Sequence, residues 1–251
     1  MSRQSTTGES NVRYGWANPL KTVESPQMPA DMININLHGR APTSPQQGFG
    51  RMWLRTYRVA LPTETIDPHG LMDIWKADFP SFWPQSNRFA TAGVIQPGEV
   101  GLINLSMPAG LKLATGARVI YVDETAFMLS TIMGHMFCGW ITFSSYTEGE
   151  YTYAQTQALI RPGDALYELS FLLGLGSKAE DSFWHQSLKN LAARFNIQAE
   201  VEQVNRMVDP HLQWRNFGNI WYNAGVWSAL HQLSAPLRWL SRSKKRGTSD
   251  S

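Results

Sequence analysis

A chain of 251 residues that is 43% hydrophobic, with ten Trp and eleven Phe, can bury a substantial core, enough for one domain with extensions or two small ones. No run approaches the roughly 18 apolar residues of a membrane span, MSRQSTTGES lacks the apolar stretch of a secretory signal, and the single cysteine, Cys138, excludes a disulfide framework or a multi-cysteine metal site. The net charge of +2 is uneven: from Arg238 on, five basic residues against Asp250 give +4, which leaves −2 on the rest and argues against nucleic acid across the main surface.

Together these features point to a cytoplasmic protein whose affinity for phosphates or anionic lipid, if any, is confined to its tail. Residues 1–48 are rich in Ser, Thr, Gln and Asn, with prolines at 19, 26, 29, 42 and 45. Such a composition predicts a flexible N-terminal arm. Within it, Met32-Ile33-Asn34-Ile35-Asn36-Leu37 alternates like a short strand or a docking segment.

The globular part begins near Phe49. Met52 to Leu61 reads as a strand that carries Arg55 and Arg58 on different faces and ends at Pro62. Asp67 and Pro68 supply the N-cap and first position of a helix with Leu71, Ile74 and Trp75 at helical spacing. An aromatic loop, Phe79 to Pro84, follows. Strands are then expected at Phe89–Ile95, Val100–Ser106, Leu111–Asp123, Ala126–Met133, Gly139–Tyr146 and Tyr151–Ile160, the last two joined by a hairpin turn at Thr147 to Glu150. The short gaps imply antiparallel neighbours in a meander.

Asp164 can cap an apolar helix from Ala165 to Leu173. Ser177-Lys178-Ala179-Glu180 has the form of a capping box and predicts a second helix with Trp184, Leu188, Leu191 and Phe195 on one face. The expected fold class is α+β: a curved antiparallel sheet wrapped on a long C-terminal helix, with a cavity between them.

Gly116-Ala117-Arg118-Val119-Ile120-Tyr121-Val122, Ser130-Thr131-Ile132-Met133-Gly134-His135 and Arg161-Pro162 carry a family resemblance. On these residues the stretch from 49 to about 196 resembles the uncharacterised DUF1990 family, itself similar to the START-like, helix-grip superfamily. Met133 stands where that family tends to have proline, and Cys138 to Phe143 replaces most of an acidic stretch. The resemblance implies the helix-grip fold and a pocket, and no particular chemistry. It divides the chain into an arm (1–48), a helix-grip domain (49–197) and a helical extension with a basic tail (198–251).

The ligand-binding candidates are Met133, Gly134, His135, Trp140, Tyr153 and Arg161, which would line a cavity for an apolar or amphipathic small molecule. A rival reading makes His135 an acid or base of a cyclase, isomerase or hydrolase, with Arg161 orienting an anion. Each residue also has an ordinary structural reading: His135 as a backbone-bonded turn residue, Arg161 as a clamp to Asp164 or Glu168, and Trp140, Tyr153 and the methionines as core. The six His, at 38, 69, 135, 185, 211 and 231, lack metal-ligand spacing. No phosphate loop, dinucleotide fingerprint or nucleophile elbow occurs, so no cofactor or metal is implied.

Beyond Asn196, Ala199 to Met207 reads as a polar helix ending at Asp209-Pro210. A Trp-rich segment follows, with Val226, Leu230, Leu233, Leu237 and Leu240 in a helical stripe that Pro236 kinks. Trp227, Trp239, Arg242, Lys244, Lys245 and Arg246 form the candidate contact with an anionic membrane. The same stripe equally serves packing on the chain's own sheet or on a second copy in a homo-oligomer.

Overall fold

The computed structural model describes residues 13–25, 27 and 29–235. In chain order the elements are β1 (Gly15–Trp16), β2 (Met52–Pro62), α1 (Pro68–Ala77), β3 (Arg88–Ala90), β4 (Val100–Ser106), β5 (Lys112–Val122), β6 (Ala126–Thr131), β7 (Phe137–Glu148) and β8 (Tyr151–Pro162). After these come α2 (Ala165–Leu172), α3 (Leu175–Ala193), β9 (Glu202–Asp209), a 3-10 stretch (Trp214–Tyr222) and α4 (Ala224–Leu233). The strands form one antiparallel sheet in the order β3-β4-β5-β6-β7-β8-β2-β9, and β1 pairs with the far end of β5. The run from β3 to β8 is the expected meander, and β2 then inserts between β8 and β9.

Local chemistry sets the boundaries. The Asp67 carboxylate accepts from the His69 and Gly70 N–H groups at 2.9 and 3.1 Å, and Pro68 opens α1. Asp164 caps α2 in the same way through Leu166 and Tyr167. The β7–β8 hairpin turns at Gly149, whose φ of 60° suits glycine.

One face of the sheet closes on α1 and α3, the helix-grip arrangement. Alternate residues Tyr57, Val59 and Leu61 of β2 face inward, and α3 lays Trp184, Leu188 and Leu191 against them. The space between sheet and helices is filled by rings. Phe127 stacks on Phe143 at 4.6 Å, and Phe79 meets both edge-on at 5.2 and 5.0 Å. Trp75 and Trp184 both contact Phe143, at 5.4 and 5.5 Å. Each such ring contributes on the order of 1.5–3 kcal/mol by burial and up to about 1.5 kcal/mol per well-placed pair. The expected cavity at this place is therefore occupied by the protein's own aromatic side chains.

The opposite face carries a second, smaller core. Val23, Met32 and Leu37 pack with Val100, Leu102 and Ile132, and a side chain at Gly116 would collide with Leu37. The Thr43 N–H donates to the Thr131 carbonyl at 2.8 Å. Val23, Met32, Leu37 and Thr43 of the N-terminal stretch are thus docked on the sheet. Composition averages over many polar positions, whereas three buried apolar side chains and a few backbone bonds decide the docking.

Other differences have equally local causes. The strand expected at Phe89–Ile95 stops at Ala90, because the N–H groups of Ala92 and Gly93 turn to the Glu99 carboxylate. The capping box at Ser177 is not formed: α3 starts at Leu175 after Gly174, and Glu180 is drawn away to Arg55 at 2.6 Å. Ala199–Met207 is no helix. Residues 202–209 instead form β9, which pairs with the open edge of β2 and is pinned by Arg58–Glu202 at 2.7 Å and by Arg55–Asn205 at 3.3 Å. The sheet therefore reaches Asp209, past the expected boundary at 197.

α4 packs on its own domain, but through the face opposite to the expected stripe. β6 ends at Thr131 opposite Ala117, leaving residues 112–116 of β5 without a strand on that side. The Ala114 N–H donates to the Ser228 hydroxyl at 2.9 Å, and the Lys112 N–H donates to Gln232 Oε1 at 3.0 Å. Gln232 Nε2 returns a bond to the Lys112 carbonyl at 2.7 Å, and Asn36 Nδ2 donates to the Ala114 carbonyl at 2.8 Å. Four residues along a helix advance about 6 Å and two along a strand about 6.7 Å, so Ser228 and Gln232 match alternate residues of β5. The unmet backbone groups call for polar partners, and Val226, Trp227, Leu230 and Leu233 are left facing outward. Of the remaining candidates, Trp239, Arg242, Lys244, Lys245 and Arg246, together with Pro236, Leu237 and Leu240, lie outside the described residues.

Candidate functional site

The residues singled out from the sequence occupy three separate places. Gly134 and His135 form the β6–β7 turn. Gly134 has φ 95°, its carbonyl accepts from the Ala224 N–H at 2.9 Å, and a Cβ there would strike the Tyr222 carbonyl oxygen. His135 is buried, and its Nδ1 accepts from the Phe137 N–H at 3.0 Å. Burial pushes the imidazole pKa down to about 4, so the ring is neutral near pH 7. Met133, half-buried beside them, donates its N–H to Ala41.

Trp140 and Tyr153 lie on the outer face of the sheet by strand alternation with the inward Phe143 and Ala154. Tyr153 stacks on Tyr146 at 5.5 Å and lies under Arg58 at 4.7 Å.

Arg161 is 3% exposed, and four of its five N–H donors are engaged within the chain. Nε donates to the Pro45 carbonyl at 3.1 Å, Nη1 to the carbonyls of Gly50 and His211, and Nη2 to the Asp209 carboxylate at 2.6 Å. The guanidinium holds Asp209 far below the ordinary carboxylate range. Arg161 is a clamp between the arm and the end of β9, and its acidic partner is Asp209 rather than Asp164 or Glu168. Glu168 pairs instead with Arg51 at 2.8 Å, and Asp164 accepts from Asn223 Nδ2 at 2.8 Å. Cys138 is buried, and burial raises its thiol to about 11, too high for a thiolate nucleophile near neutrality. None of these groups converges on a common space.

Two concave sites stand out among the described residues. A groove of about 480 Å³ runs between the turn at residues 35–40 and α4, lined by Ile35, Asn36, Arg40, Trp227, Leu230, His231 and Ser234. Its inner wall is fixed. Leu37 anchors the turn in the second core, and Asn36 bonds to Ala114, Ala224 and Ser228. Its outer wall is apolar, with Trp227 held by an N–H donated to the Trp221 carbonyl at 2.9 Å. Arg40 reaches over the Tyr222 ring at 5.0 Å and makes no ion pair among the described residues. The groove thus offers apolar contact along its length and, at its side, a cation without an ion pair among the described residues.

The second, smaller pocket, of about 330 Å³, is lined by Asp181, Ser182, His185, Gln186, Lys189 and Gln203 beside α3. Its polar groups already satisfy one another. Asp181 accepts from Arg55, Tyr57 and Gln203, and His185 bonds to Gln203 at 2.8 Å. Burial lifts the neighbouring Glu180 to about 7 against the pull of Arg55. This is a structural tie between β2, β9 and α3.

Sequence reasoning noted the alternating segment 32–37 and the stripe on α4, but did not bring them together. Arg40 and His231 carried no signal, since the contact between their segments spans nearly the whole chain. The residues that pointed to it are polar ones in apolar company, Asn36, Ser228 and Gln232, each of which needs a partner when buried.

No family model and no curated protein matches the chain. Among solved structures it is similar to protein Ms6760 from Mycobacterium smegmatis, at 14% identity over 57% of this chain and 90% of that one, with a TM-score of 0.42. It is likewise similar to Ara h 8.0201, at 10% identity over 57% and 98% of the two chains and a TM-score of 0.42. Against the di-domain ARO/CYC StfQ from the steffimycin biosynthetic pathway the identity is 9%, the TM-score 0.42, and the match covers 57% of this chain and 52% of that one, about half of its length. At such values the likeness adds nothing about function, and the helix-grip fold rests on the sheet and helices themselves.

Proposed function

We propose that this chain binds a small amphipathic molecule, an apolar body carrying one anionic group, in the groove between residues 35–40 and α4. The observation that carries the reading is Arg40, a cation without an ion-pair partner among the described residues, set beside the exposed apolar wall of Ile35, Trp227 and Leu230. The wall would take the apolar body and the planar guanidinium a carboxylate or phosphate. The site lies outside the grip, because aromatic rings fill the space between sheet and helix.

Kinship with the DUF1990 family belongs to the same reading. In its favour, the residues that carry the resemblance sit at constrained points of the fold: Gly116 admits Leu37, Gly134 abuts Tyr222, and Arg161 clamps the arm.

The test compares dodecanoate with uncharged dodecanol by calorimetric titration of the full chain. A charge-assisted hydrogen bond is worth about 1.5–3 kcal/mol, so dodecanoate binds at least about tenfold more tightly than dodecanol. Arg40→Gln abolishes that preference, and Trp227→Ala weakens both ligands. No dodecanoate binding, or a preference unchanged in Arg40→Gln, overturns the reading.

A further inference from the structure

The outward face of α4 inverts the usual order of a surface helix. Its buried positions are Ala224 and Ser228, while Val226, Trp227, Leu230 and Leu233 face outward, and Trp221 beside them is 77% exposed. A monomer leaves single large apolar groups in water as a matter of course. A contiguous set carried on one short helix and the turn before it marks a contact surface.

The charge pattern selects the occupant. From Pro210 to Ser249 the chain has no Asp or Glu, while Arg215, Arg238, Arg242, Lys244, Lys245 and Arg246 fall within those forty residues. Four of the ten Trp lie in the same stretch. The last of the described residues, at 235, ends this ridge, and the sequence continues at once into the basic cluster. A second copy would cover the apolar face and leave this positive charge unanswered. An anionic surface meets both features, since indole rings settle at the level of the headgroups while lysine and arginine attract the negative charge. No helix among the described residues is long and apolar enough to cross a membrane, so the contact is made from one side.

We infer that the ridge of Trp221, Val226, Trp227, Leu230 and Leu233 docks the protein on an anionic lipid surface. The ridge does this whether or not the groove beside it takes a ligand.

Co-sedimentation of the full chain with vesicles of phosphatidylcholine alone, and of phosphatidylcholine mixed with phosphatidylserine, tests it. Binding is expected to the mixed vesicles only. Trp221→Ser with Leu233→Ser, two positions that do not line the groove, lowers that binding at least about tenfold, because apolar insertion is what holds the docked helix. Lys244→Gln with Lys245→Gln and Arg246→Gln lowers it by about fivefold per cation removed. Circular dichroism and thermal melting confirm that each variant is folded. Equal binding to both vesicle types, or binding indifferent to the Trp221 and Leu233 changes, overturns the inference. So does a dimer in sedimentation equilibrium that those two changes dissociate while no vesicle is bound.

Discussion

Lysine in place of Arg161 keeps the positive charge but removes the planar fork, and so separates geometry from charge. In the wild type the guanidinium serves four acceptors: the carbonyls of Pro45, Gly50 and His211, and the Asp209 carboxylate. A lysine ammonium can still reach Asp209, as a single point. His211 is exposed and its carbonyl can turn to water, but Pro45 and Gly50 are buried and lose their donor. Two buried acceptors at about 1–2 kcal/mol each give an expected loss of about 2–4 kcal/mol. Arg161→Met costs more, because it also takes the positive charge away from the Asp209 carboxylate, which keeps only His211 and Gln213. Urea unfolding followed by tryptophan fluorescence measures both, and limited proteolysis shows whether the cuts appear between residues 43 and 51. An Arg161→Lys protein within about 0.5 kcal/mol of wild type, the scatter of neutral substitutions, refutes the clamp and returns Arg161 to the residues available for an anionic ligand.

Gly134→Ala forces a side chain into a φ of 95° and against the Tyr222 carbonyl; the expected loss exceeds about 2 kcal/mol, with faster proteolysis of residues 222–235. Thr156→Val removes a buried hydroxyl that has no partner among the described residues, so it stabilises by about 1 kcal/mol in a thermal or urea melt; a loss instead means that the hydroxyl is bonded. Glu180, raised from 4.5 to about 7 mainly by burial, binds its proton more tightly folded than unfolded. Its contribution is therefore full below pH 4.5 and is lost as the pH rises through about 7. Urea titrations of wild type and Glu180→Gln at several pH values should show the wild type's relative stability falling across that window; a rise would sink the assignment.

Elements with a strong local signal were legible in the sequence. Asp67-Pro68 and Asp164 cap helices as read, and the alternation of β5 to β8 gave the meander to within a few residues of the observed ends. Where two uses compete for one residue, local reading failed: Glu180 fits a capping box, but the buried Arg55 takes it. β9 looks like a helix because its exposed residues carry no alternation, and only the vacant edge of β2 makes it a strand. His135 and Arg161 stood out, yet His135 Nδ1 is taken by the Phe137 N–H and Arg161 is engaged by backbone carbonyls and Asp209. Arg40 did not stand out, because nothing in its own neighbourhood along the chain shows that Trp227 will lie opposite.

The splice between α4 and β5 makes alternate amides of a single strand answer to different events. Lys112 and Ala114 have their N–H groups held by Gln232 and Ser228, whereas Leu113 and Thr115 turn theirs toward β4 under antiparallel alternation. Hydrogen exchange at the first pair therefore proceeds whenever a ten-residue helix lifts off, and at the second only when the sheet itself opens. Anything that settles on the outer side of α4 will slow deuterium uptake at Lys112 and Ala114 while Leu113 and Thr115 keep their own rate. Four consecutive residues thus record, in alternate readings, what happens on a surface that none of them touches.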